Sequence, residues 1–163
     1  MGRIQSSSPE ASRRMMKVRQ TGTKAEMALR KALHRLGLRY RVNFQVLKKP
    51  RRIADVAFTK YKIAVFVDGC FWHGCPEHAS WPKSNSEFWQ LKIEANRARD
   101  ADTDAKLRGI GWTVIRIWEH KCPEMAADAI NAVMDVKRSE ARMSLDQYNS
   151  EDDTDGTHES SGR

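Results

Sequence analysis

A chain of 163 residues with 40% apolar composition is long enough for one domain around a single core, and no apolar run nears the roughly 20 residues that span a bilayer. The net charge is +8. Residues 150–163 hold five acids against one arginine, so residues 1–149 carry +12 and favour a polyanion, of which nucleic acid is the usual one. With three cysteines and no apolar leader in Met1 to Glu10, a disulfide framework is disfavoured and metal ligation in a reducing, cytoplasmic setting is the better use of thiols.

Residues 1–12 are Ser-rich and aperiodic, which predicts a mobile tail. Thr23-Lys-Ala-Glu26 is a capping box, and Met27, Leu29, Ala32, Leu33 and Leu36 form the apolar stripe of a first helix that Gly37 ends. Tyr40, Val42, Phe44 and Val46 alternate with polar residues as a half-exposed strand does, and Lys48 to Arg52 is a basic turn. Strands from Ile53 to Phe58 and from Lys62 to Val67 follow. Ser84-Asn-Ser-Glu87 reads as a second capping box, opening a long helix towards Arg108 with Phe88, Leu91, Ala95, Ala98, Ala105 and Leu107 partly inward. Gly109 and Gly111 stop it. Trp112 to Trp118 is a fourth strand, and Pro123 starts a helix through about Arg142, leaving residues 144–163 as an acidic, disordered tail. The order α-β-β-β-α-β-α gives a mixed sheet flanked by helices within a domain spanning residues 13–143, because the fourth strand arrives through a helical crossover.

Ile63 to His78 holds a strand, a carboxylate, two thiols, two imidazoles and two adjacent aromatics, a mixture that no ordinary core needs. Cys70, Cys75 and His78, at C-x4-C-x2-H spacing, can reach one tetrahedral zinc from a single loop, and a later strand end can supply another ligand. Asp55 and Asp68 would approach one edge of the sheet if their strands form a hairpin, and hard carboxylates suit magnesium. The plainer alternative pairs Asp55 with Arg51 or Arg52 and leaves Asp68 to cap a turn. His73 offers an imidazole for general-base work, unless it too ligates metal. Glu26 as a capping residue needs no further role. Phe71 and Trp72 sit between the loop ligands, where core packing explains them poorly; for Phe58, Phe66 and Trp112 it is the better explanation.

Val-Phe-Val-Asp-Gly-Cys-Phe-Trp-His-Gly-Cys-Pro-x-His, preceded by Asp55 and followed by Asn96-Arg-Ala-Arg-Asp100 and Gly-Trp112-x-Val-x-Arg-x-Trp118-Glu-His120, resembles the very short patch repair (Vsr) DNA mismatch endonucleases over roughly residues 12–125. The resemblance implies a restriction-endonuclease-like fold, magnesium-dependent nicking of one strand beside a thymine-guanine mismatch, and a structural zinc. It makes Asp55 and the Val67 carbonyl the magnesium ligands, His73 the imidazole beside the attacking water, and Glu26 a carboxylate assisting the metal-water network. Asp68 stands where the best-known member has a histidine, leaving open a direct or an indirect role at the metal. Cys70 aligns directly as a zinc ligand, Cys75 falls where a histidine can stand, His78 is displaced slightly, and His120 is favoured over Cys122 by register. Phe71 and Trp72, helped by Trp89, would enter the base stack beside the mismatch. Mismatch-containing double-stranded DNA is the implied partner, mismatch-repair proteins are implied only by the resemblance, and a nucleoid-associated monomer without a membrane role is expected. A nuclease of the same fold acting on other DNA structures, or a zinc-stabilised DNA-binding module without hydrolysis, are the alternatives.

Overall fold

The computed structural model describes residues 21–78 and 85–152, with side chains to residue 144. Thr23 and Glu26 form the expected reciprocal capping box at the start of α1 (Lys24–Arg35), and a positive-φ Gly37 closes its C-terminus. There Gly37 N donates to His34 O and Leu38 N to Leu33 O, the two bonds that satisfy a helix's last carbonyls. Leu29, Ala32 and Leu33 of the stripe are buried, whereas Met27 and Leu36, expected with them, are 45% and 43% exposed. Met27 lies on the side of the helix away from the buried residues, and Leu36 is the C-cap, beyond the last helical residue.

Strands β1 (Arg41–Leu47), β2 (Arg52–Phe58), β3 (Ile63–Asp68) and β4 (Thr113–Trp118) form one sheet in the order β1-β2-β3-β4. The first two pairings are antiparallel and β3 pairs β4 in parallel, the mixed sheet that the helical crossover demands. A helical turn α2 (Cys70–His73), absent from the sequence-based order, follows β3; α3 (Ser86–Gly109) is the crossover, and α4 (Pro123–Asp152) is last. Leu29, Leu33, Val56, Ile63, Val65, Ile130 and Met134 pack α1 and α4 on one face of the sheet. On the other face Ala54, Ala64 and Leu107 pack under α3, with Phe44, Phe66 and Trp112 against them. A four-stranded mixed sheet between helices is the architecture.

Two helices depart from expectation. The second capping box was expected from Ser84, which lies outside the described residues; α3 starts at Ser86, and its N-cap Asn85, at a left-handed φ of 58°, makes no side-chain cap. Leu91, Ala95, Ala98 and Ala105, expected inward, are exposed, and the buried positions are Ile93, Asn96, Thr103 and Leu107. A stripe at 93, 96, 100, 103 and 107 is polar in its middle because it covers charged groups, so apolar periodicity could not locate it. The last helix runs to Asp152, ten residues past Arg142, so residues 144–152 are helical rather than part of a disordered tail. The predicted tails at 1–12 and 153–163 lie outside the described residues. No helix among the described residues is long and apolar enough to cross a membrane.

Candidate functional site

Beyond the Val56↔Val65 pairing, β2 and β3 separate, and the ladder is completed by a side chain: Asp55 Oδ2 accepts from Val67 N–H at 2.7 Å. The neighbouring basic turn does not pair with Asp55; Arg52 instead donates to Thr103 Oγ1 at 2.7 Å and approaches Asp102. Burial pushes the Asp55 carboxyl up to about 6, outweighing the Val67 hydrogen bond, and nearby Glu26 and Asp68 add to the rise. Glu26 is 3% exposed, and its oxygens accept from Gly22 N, Thr23 N and Oγ1, and Arg30 Nη2 at 3.0 Å. Arg30 also reaches the Asp55 carbonyl at 3.5 Å. Glu26 is therefore both a capping residue and a charge within electrostatic reach of Asp55.

Asp68, one residue past Val67, points to the opposite face of the sheet. Arg116 of β4 holds it, with Nη1 2.8 Å and 3.1 Å from its two oxygens. The same guanidinium donates through Nε to Asp104 at 3.0 Å, lies 3.4 Å from Asp100 Oδ1, and stacks 4.8 Å over the Phe66 ring. His73 Nδ1 is 2.5 Å from Asp100 Oδ2 and 3.8 Å from Asp68 Oδ1. Burial tends to raise Asp100, but the His73 hydrogen bond and the Arg116 charge outweigh it and hold the carboxyl below the usual range. Asp68 stays above that range because burial exceeds the pull of Arg116 and His73. Ligand atoms of Asp68, His73 and Asp100 lie within 4.8 Å of one another, and Arg116 is the cation that already neutralises them.

Cys70, Cys75, His78 and His120 converge, their ligand atoms also within 4.8 Å of one another. His120 Nδ1 is 3.0 Å from Cys70 Sγ and 3.7 Å from Cys75 Sγ, and His78 Nδ1 is 3.8 Å from Cys75 Sγ. Burial and the adjacent Cys75 push the Cys70 thiol up to about 11. Cys122 lies outside the cluster, exposed, and donates to Glu124. Two sulfurs and two imidazole nitrogens from one loop and one strand end are a donor set that fits tetrahedral zinc. His120 Nε2 lies 3.3 Å from Glu77 Oε2 without hydrogen-bond geometry, and Glu119 Oε1 accepts from Cys70 N at 2.6 Å, tying loop to strand.

Asn96 Nδ2 donates to Trp72 O at 2.8 Å and Arg97 Nε to His73 O at 3.0 Å, fixing the other side of the loop to α3. Gly74, at φ 63°, sits so close to this helix that a Cβ would fall 2.9 Å from Ile93 Cγ2. Phe71, Trp72 and Trp89 are half-buried and meet edge to face, with centroids 5.2–6.1 Å apart, and Phe88 joins Trp89 at 5.1 Å. Asp100, Arg116, Asn96, Arg97, Glu119 and Phe88 were not singled out from the sequence as site residues. Asn96 and Asp100, one helical turn apart, were the available signal.

The profile described as DNA mismatch endonuclease Vsr matches residues 7–79. A type II nicking enzyme, V.NaeI of Lentzea aerocolonigenes, is 45% identical over 131 residues, covering 77% of this chain and 75% of the relative. The chain belongs to the Vsr family. V.NmeDIP, a type II nicking enzyme of Neisseria meningitidis serogroup C, is 39% identical over 82% of the chain and 95% of its own length. The DNA mismatch endonuclease Vsr of Escherichia coli strain K12 is 29% identical over 90% and 92%. Family membership makes the chain a DNA endonuclease, and the sequence-based assignment of a Vsr-type enzyme holds. In this Vsr-family chain Asp55 and the His73–Asp100 pair lie at the same end of the sheet as the Cys/His cluster.

Proposed function

We propose that this endonuclease nicks one strand of duplex DNA beside a thymine-guanine mismatch, with magnesium at Asp55 and zinc at Cys70, Cys75, His78 and His120. The observation that carries the reading is the Asp55 carboxylate replacing a ladder bond at Val67 where β2 and β3 part, at the end of the sheet that also carries an imidazole held by the half-buried Asp100 carboxylate. The fold reading is correspondingly restriction-endonuclease-like. Asp55 fits a hard divalent ion: it is half-buried within electrostatic reach of Glu26 and Asp68, and only Oδ2 has a hydrogen-bond partner among the described residues. The Val67 carbonyl would be the second protein ligand. Magnesium, when bound, supplies Lewis-acid polarisation of the phosphate and a more acidic water.

The protein's own groups divide the remaining work. Asp100 holds His73 Nδ1, which directs Nε2 outward as the acceptor for a proton from water at the scissile phosphate. Arg116 neutralises Asp68, so Asp68 acts through the guanidinium and His73 and not as a metal ligand. Glu26 adds negative charge near Asp55 from the helix start. The zinc set fastens the loop, which presents Phe71 and Trp72, with Trp89 beside them, as a wedge; a poorly stacked mismatched step resists such insertion less than a paired one. A monomer serves this mechanism, because one chain carries all these groups. Nicking measured with and without magnesium, on thymine-guanine and matched duplexes of the same sequence, tests the reading; equal rates on the two duplexes, or full activity in excess chelator, would remove it.

A further inference from the structure

From Arg39 to Ala54 the chain carries six basic residues and no acid. Arg52 is engaged with α3, through Thr103 and Asp102. Lys48, Lys49 and Arg51 are exposed in the β1–β2 turn and form no ion pair among the described residues; other exposed cations, such as Lys24, Lys60, Lys92 and Arg142, are also unpaired, but the turn sets three of them within four residues. Surface cations that a fold leaves unpaired, on a turn whose base is anchored, are available to an outside anion.

The topology fixes where this turn sits. Leu47 pairs Arg52, so the turn caps the end of the sheet at which β2 begins. β2 runs antiparallel to β3, so that end is also where β3 reaches Val67 and Asp68 and β4 reaches Trp118. Across it lie, in order, the basic turn, Asp55, and the loop with its Cys/His cluster and aromatic group. Arg51 is four residues before Asp55, about 13 Å along the strand at ~3.3 Å per residue. With one phosphate per ~3.4 Å of helix axis on each strand, that span is about four phosphates.

We infer that Lys48, Lys49 and Arg51 form a clamp on the DNA phosphate backbone, flanking the nicking centre on the side opposite the aromatic wedge. The inference rests on the proposed placement of the nicking centre at Asp55. The partner is duplex DNA read by charge alone, so the clamp adds affinity and register without sequence or mismatch preference. Two regions of the same sheet end then hold the duplex across the scissile phosphate.

The test compares the triple variant Lys48→Gln, Lys49→Gln, Arg51→Gln with a control that loses the same charge elsewhere, Lys60→Gln, Lys137→Gln, Arg142→Gln. Equilibrium binding to uncleaved matched and thymine-guanine duplexes is measured without magnesium across a salt series, alongside melting temperature and single-turnover nicking at saturating enzyme. The turn variant should raise Kd at least about tenfold on both duplexes and flatten the slope of log K against log salt by about 2–3, because each lost phosphate contact removes ~0.9 from that slope. Its melting temperature and saturated nicking rate should match the parent's, and the control should bind nearly as the parent does. An unchanged Kd and slope, an equal loss in the control, or a loss confined to mismatched DNA would overturn the clamp. Failure of the parent to prefer mismatched DNA in nicking would instead count against the mismatch reading, since the slope comparison needs no cleavage.

Discussion

Asp55→Asn should yield a protein that is more stable and does not nick. The wild-type carboxyl is moved by burial from an ordinary aspartate value near 3.9 to about 6 in the folded chain. Folding therefore favours the protonated form: as pH rises from about 4 to about 6, the unfolded chain releases this proton before the folded one does, and stability falls. Above about 6 the penalty is complete. At about 1.4 kcal/mol per pH unit, a gap of about two units is about 3 kcal/mol, a ceiling that holds without divalent metal. Asparagine keeps an oxygen to accept the Val67 N–H at the 2.7 Å contact and carries no charge to desolvate. Part of the gain is lost because the new amide needs an acceptor. For a domain of this size about 1–3 kcal/mol corresponds to a rise of roughly 2–12 °C in Tm. Thermal melts of both proteins in chelator at pH 4 and pH 8 should differ at pH 8 and nearly coincide at pH 4, and the variant should retain duplex binding while losing nicking. Equal or lower stability of Asp55→Asn at pH 8 would refute the strained-carboxylate argument, and near-normal nicking would remove Asp55 from the mechanism.

The Cys/His cluster predicts that His120→Ala loses bound zinc and much of its thermal stability while Cys122→Ala keeps both, as metal content and Tm would report; Cys122 faces Glu124, outside the cluster. Arg116→Met leaves Asp68, Asp100 and Asp104 without their shared cation and should cost about 3–5 kcal/mol in denaturant unfolding, with Arg116→Lys losing less; a variant as stable as the parent would show that the guanidinium is not their counter-ion. Phe71→Ala with Trp72→Ala should lower the ratio of nicking on mismatched to matched duplex, and because both rings are half-buried the loss of stability should fall below the roughly 3–5 kcal/mol per ring of a core position. An unchanged ratio would mean that the rings are not the wedge. Ending the chain after Asp152 should preserve nicking, measured as a single-turnover rate; a large loss would show a role for residues 153–163.

Signals confined to a few neighbouring residues were legible in the sequence. The Thr23–Glu26 capping box, the glycines that end α1 and α3, the apolar runs of β2 and β3 and the convergence of Cys70, Cys75 and His78 each depend on contacts within one turn, loop or strand, and each forms. The unusual composition of Ile63 to His78 also identified the family, because such a mixture has no packing purpose. Choices between residues far apart in sequence were decided by the tertiary structure. His120 and Cys122 are equally good zinc ligands chemically, and only the parallel pairing of β3 with β4, which sets Asp68 opposite Trp118, brings His120 to the loop and leaves Cys122 outside it. Asp68 is held by Arg116, 48 residues later in the chain, a partner that no local pattern announces. The inward face of α3 was misjudged for the same reason: apolar spacing assumes an oily partner, whereas this helix covers Arg52, His73 and Arg116, so between Ile93 and Leu107 its inward positions are Asn96, Thr103 and the half-buried Asp100 and Asp104, recognisable only beside the charges they meet.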